Sequence, residues 1–107
     1  MLIVDSAGET KMQPRETRKA IRDLKRLCKT HGIEFNIVPG RGSHQGLVFH
    51  DPKEGTYISI TIAGHKEISP GVQRQTLKYI GQISKIALAV SVKKILEQIF
   101  GLNDGMD

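Results

Sequence analysis

A chain of 107 residues, 38% of them hydrophobic, makes one domain with a single modest core and excludes disorder throughout. Its formal net charge of +5 favours a polyanionic partner, nucleic acid before an anionic membrane surface; a basic protein without such a partner is the plainer reading. The single cysteine, Cys28, excludes an internal disulfide and a cysteine-rich zinc site.

Residues 1–13 show no clear period and are expected to form an arm outside the domain. The start, Met1 to Asp5, has no basic region of the kind that opens a signal peptide, and no apolar run reaches the length of a membrane span. A cytoplasmic location is the expectation. Pro14 suits the first turn of a helix. Ala20, Ile21, Leu24, Leu27, Cys28 and His31 then recur at helical spacing, and Gly32 is a natural terminator. The other face of this helix is basic: between Pro14 and His31 stand seven Lys/Arg against two Asp/Glu. Arg22, Lys25 and Lys29 follow at three- and four-residue steps, which makes them either a solvated face or a stripe turned toward phosphates.

Three strand patterns follow. Ile33 to Val38 places Ile33, Phe35 and Ile37 on one face; Gly46 to His50 turns Leu47 and Phe49 inward; Tyr57 to Ile62 alternates Ile58, Ile60 and Ile62 with Tyr57, Ser59 and Thr61. Asp51 to Gly55 is a turn by composition, so the last two strands form a hairpin. A second helix is expected from Ser69 as cap and Pro70 in the first turn, with Val72, Thr76, Leu77, Ile80 and Ile83 buried. Gly81 is a possible break and Ser84 a possible cap for a third helix carrying Ile86, Val90, Ile95, Ile99 and Phe100. These elements predict an α+β domain of order α-β-β-β-α over residues 14–83. Its antiparallel three-stranded sheet has an apolar face covered by the first two helices. Residues 84–107 would be a helical extension and tail. The extension is apolar on adjoining sides, so it packs on its own domain or on another chain. Self-association is preferred, because the five-element domain closes without it.

The segment Pro39-Gly40-Arg41-Gly42-Ser43-His44 joins two apolar runs and reads as a loop. Its glycines let backbone N–H groups approach a phosphate, Arg41 can hold that phosphate at two points, and His44 can move a proton near neutral pH. The lysine that completes a Walker loop is missing. A metal nuclease needs clustered carboxylates, and Asp51 with Glu54 in a turn is a weak pair; neither metal nor cofactor is expected. His50 beside the turn is expected to be exposed, and His31 at a helix end to be structural.

The basic helix, the Gly42-Ser43-His44 triplet, the hairpin, and the Glu67-Ile68-Ser69-Pro70-Gly71 start of the second helix stand in an order and separation that resembles the HicA toxins. These are small ribonucleases of bacterial toxin–antitoxin pairs, and the resemblance covers roughly residues 15–84. The chain differs from the family pattern at Gln45-Gly46, which precede the apolar Leu47-Val48-Phe49, and it continues past the family's usual end, from Ser84 to Asp107. The resemblance implies a fold like a double-stranded-RNA-binding domain, RNA as substrate, a HicB-like antitoxin protein as partner, and His44 as the catalytic histidine. Arg41, Gly42, Ser43 and Lys66 would then contact RNA beside it, with Arg22, Lys25 and Lys29 as further RNA contacts. His65 is a second proton carrier, or a helix-capping or surface residue. Two functions stay open: a metal-independent endoribonuclease, and a non-catalytic nucleic-acid-binding module in which the same loop holds phosphate only.

Overall fold

A computed structural model describes residues 13–83 and 85–101. The arm expected over residues 1–13 lies, except for Gln13, outside the described residues. The element order is β1 (Arg15–Glu16), α1 (Thr17–Thr30), β2 (Glu34–Pro39), β3 (His44–Asp51), β4 (Thr56–Ala63), β5 (Glu67–Ile68), α2 (Pro70–Gln82) and α3 (Ala87–Phe100). β2, β3 and β4 form an antiparallel sheet in that order, and β1 pairs with β5 in a separate two-stranded ribbon. The chain is therefore α+β, as its hydrophobic periods predict.

Alternation fixes the sheet's inner face. Phe35 pairs with Phe49 and Ile37 with Leu47, while Leu47 pairs with Ile60 and Phe49 with Ile58. Leu47, Phe49, Ile58, Ile60 and Ile62 are buried, and the rings of Phe35 and Phe49 meet at 5.1 Å between centroids. A one-residue slip would turn this whole set to solvent, so the register is strongly held. In the β3–β4 turn, the Asp51 carboxylate accepts hydrogen bonds from the backbone N–H groups of Lys53 (3.0 Å) and Glu54 (3.4 Å). That is the Asx geometry its composition suggests.

The first helix starts later than Pro14. Arg15 and Glu16 are extended against Ile68 and Glu67, and the N–H and hydroxyl of Thr17 bond to the carbonyls of Lys66 and His65. These long-range bonds satisfy groups that a helix begun at Pro14 would have used locally. From Thr17 the predicted stripe holds, with Ala20, Leu24 and Cys28 buried and Leu27 packed against the core; His31 is exposed. α2 begins as expected, with the Ser69 hydroxyl accepting from the Val72 N–H at 3.2 Å. It continues through Gly81, which does not break it.

The larger departure is α3. Leu88, Ala89, Val92, Ile95, Leu96 and Phe100 are buried in the same cluster as the sheet's inner face, and α3 packs on α1, α2, β3 and β4. The expected cover of the sheet by the first two helices is thus corrected: α1 and α3 lie over it, and α2 packs on α3. Most of the apolar surface of α3 thus faces its own domain, while Ile86 and Val90, expected in its packed stripe, stay 37% and 41% exposed. Arg15 ties the two ends together, its guanidinium donating to the Phe100 carbonyl at 3.2 Å, where a cation also suits the helix C-terminus. The fully buried Gln73 amide nitrogen donates to the Gln13 (2.8 Å) and Ile68 (3.0 Å) carbonyls, fixing β1 and β5 beside the start of α2.

Candidate active site

The hairpin from β2 to β3 turns through Arg41-Gly42-Ser43-His44. The His44 N–H bonds to the Arg41 carbonyl at 3.0 Å, and the Gly40 N–H bonds to the His44 carbonyl at 2.9 Å. Gly42 has φ 58°, and no residue other than glycine has positive φ among those described. Positive φ at the second turn position alone is the type II′ arrangement, whose twist matches the strands it joins. The turn corrects one expectation: His44 is not a loop residue but the first of β3, paired with Ala63 of β4. The strand therefore fixes its backbone while its side chain stays exposed.

A second bond orients the imidazole. His44 Nδ1 lies 3.2 Å from the Arg41 carbonyl oxygen. A carbonyl can only accept, so in the neutral ring this geometry puts the proton on Nδ1 and leaves the lone pair on Nε2. Gly64 closes the site from behind: a Cβ there would collide with the Ser43 carbonyl oxygen, so only glycine lets the β4–β5 connection pass so near the turn.

His44 lines two hollows. One, of about 350 Å³, lies under the turn and is bordered by Pro39, Gly40, Gly42, Ser43, Gln45 and Gly64. Gln45 Oε1 is buried with no hydrogen-bond partner among the described residues. The other, of about 390 Å³, is a groove between the edge strand β4 and α2, lined by Ser59 to Ala63 and by Val72, Gln75, Thr76 and Tyr79. No carboxylate lines either hollow.

The remaining predicted residues divide in two. Arg41, Gly42 and Ser43 belong to the turn. His65 and Lys66 follow Gly64 and hold the N-terminus of α1 by their carbonyls, with both side chains exposed. Arg22, Lys25 and Lys29 are exposed along α1, which packs on β2 and α3, and none of them lines a hollow that His44 lines. Arg22 and Arg26 instead approach Asp23 at 3.7 and 3.6 Å, in pairs that solvent weakens.

His50 is half-buried rather than exposed. Its Nδ1 is 2.7 Å from a Glu34 carboxylate oxygen and its ring stacks on Tyr57 at 4.1 Å, a row across the sheet's outer face. Among the described residues no three His, Cys, Asp or Glu side chains gather where they could hold a metal ion, and no helix is long and apolar enough to cross a membrane. The groove residues Gln75 and Tyr79 are absent from the sequence-based set. Their signal was their four-residue spacing, which puts both on one side of α2. No protein-family model, curated protein or solved structure matches the chain.

Proposed function

We propose that this chain is a HicA-like endoribonuclease with a fold like a double-stranded-RNA-binding domain, cutting RNA through His44 without a metal ion. The observation that carries this reading is the His44 imidazole, oriented by the Arg41 carbonyl at the junction of two hollows. RNA brings its own nucleophile, the 2′-hydroxyl beside the scissile phosphate. His44 Nε2 takes the hydroxyl proton, the 2′-oxygen bonds to phosphorus, and the bond to the 5′-oxygen breaks as that oxygen is protonated. The products are a 2′,3′-cyclic phosphate and a free 5′-hydroxyl. Proton transfer by a placed side chain contributes typically ~10²–10⁴-fold. Arg41 and the Gly42 N–H are suited to the charge that builds on the non-bridging oxygens. Lys66 and His65 stand on the connection that backs the turn, Lys66 as a phosphate contact and His65 as the acid for the leaving oxygen. A HicB-like antitoxin is the partner this reading calls for.

The test is incubation of the purified chain with RNA in EDTA. Fragments ending in 2′,3′-cyclic phosphate are the expected result. RNA that is bound yet stays intact would make the chain a nucleic-acid-binding module instead.

A further inference from the structure

We infer that the groove between β4 and α2 is a subsite for one unpaired nucleoside of the RNA, with Tyr79 stacking on its base and Gln75 bonding to the base edge. The inference rests on the reading of His44 as an RNA-cleaving residue, which sets one end of the groove. Four observations carry it.

The groove opens at His44 and measures about 390 Å³, near the lower end of the ~300–1,000 Å³ typical of sites for small molecules. That suits one nucleoside. A base paired within a duplex has its partner strand attached and cannot enter. The lining, His44 apart, is uncharged: polar Ser59, Thr61, Gln75, Thr76 and Tyr79 stand among apolar Ile60, Ile62, Ala63 and Val72. Such a surface matches a base and a ribose rather than a phosphate, and the cations Arg41 and Lys66 stand outside it. Tyr79 is 45% exposed, an aromatic ring held on a helix at the rim of a hollow, and rings in that position stack on unpaired bases. Finally, β4 pairs with β3 alone among the described strands. Alternate backbone N–H and C=O groups along Ser59 to Ala63 therefore face the groove, where they can meet the donors and acceptors of a base.

The chain has two tyrosines and no tryptophan, which gives the test an internal control. The full chain is made with 3-fluorotyrosine, and its two ¹⁹F resonances are assigned with a Tyr57→Phe variant. It is then titrated with a short 2′-O-methyl RNA strand, which lacks the nucleophile and cannot be cut. The Tyr79 resonance is expected to shift saturably while that of Tyr57 stays in place, and the same strand in a duplex is expected to leave Tyr79 unmoved. Tyr79→Phe keeps the ring and should bind the strand as the parent does, whereas Tyr79→Ala should bind roughly tenfold more weakly. A Tyr79 signal unmoved by bound strand, or moved equally by duplex, overturns the inference. So does a Tyr79 shift that follows protein concentration alone, which would place a second copy of the chain along β4. An unmoved Tyr79 in a chain that still cuts RNA removes the subsite but not the nuclease; a shifted Tyr79 in a chain that cannot cut RNA does the reverse.

Discussion

Cys28 lies on the buried face of α1 with 0% exposure, and burial pushes its thiol up from 9.0 to about 11. The folded chain thus holds this proton more tightly than the unfolded chain does. The resulting stability is fully present below pH 9 and is lost as pH rises from there to about 11. At about 1.4 kcal/mol per unit the loss is at most ~3 kcal/mol. A thiol-reactive disulfide at pH 8 is expected to leave native Cys28 untouched and to react once the chain is denatured, with the urea midpoint falling above pH 9. Rapid reaction in the native state would contradict this burial. His44 is the opposite case: an exposed ring whose orientation depends on one bond, to the Arg41 carbonyl, and on a turn in which Gly42 takes a positive φ.

At the scale of elements, α3 decides the most. Five of its six buried residues are large: Leu88, Val92, Ile95, Leu96 and Phe100. Each contributes roughly 1.5–3 kcal/mol by burial. Their sum rivals the ~5–15 kcal/mol that separates a typical folded domain from its unfolded state. Truncation after Ile83 is therefore expected to give a chain that does not fold, read as loss of the cooperative thermal transition by circular dichroism. A truncated chain that melts cooperatively would return α3 to the role of an appended helix.

The same element shows what a sequence pattern can and cannot specify. Ile58, Ile60 and Ile62 announce an inner sheet face because alternation has only one structural meaning. The apolar sides of α3 have two, since a helix between three neighbours and a helix shared between chains carry the same pattern. Pro14 suggested a helix start, because the pairing of Arg15–Glu16 with residues more than fifty positions away leaves no local trace. The Gly-Arg-Gly-Ser-His segment was legible as a turn with chemistry in it. The bond that draws His44 into β3 was not, because it depends on backbone geometry rather than residue type. Gln75 and Tyr79 stand out less in the sequence, because a helical stripe marks only the side that is buried.

Across the whole molecule, α1 and α3 cover one face of the sheet and leave α2 to run beside the edge of β4. That displacement gives the groove its second wall. The hairpin turn, Gly64 and the start of α2 converge on its end, where His44 stands between the hollow under the turn and the groove. In the proposed reading, basic residues on the turn and after Gly64 would meet the RNA backbone, and the uncharged groove would take a base. The claim that joins these parts is that His44 moves the proton. It is tested most directly by the cleavage rate of a single-stranded RNA in EDTA, compared between the chain and a His44→Ala variant with the same melting temperature. His44 is exposed, so the substitution should spare the fold, and the rate is expected to fall at least ~100-fold. An unchanged rate in the folded variant would remove His44 from the mechanism and contradict the account.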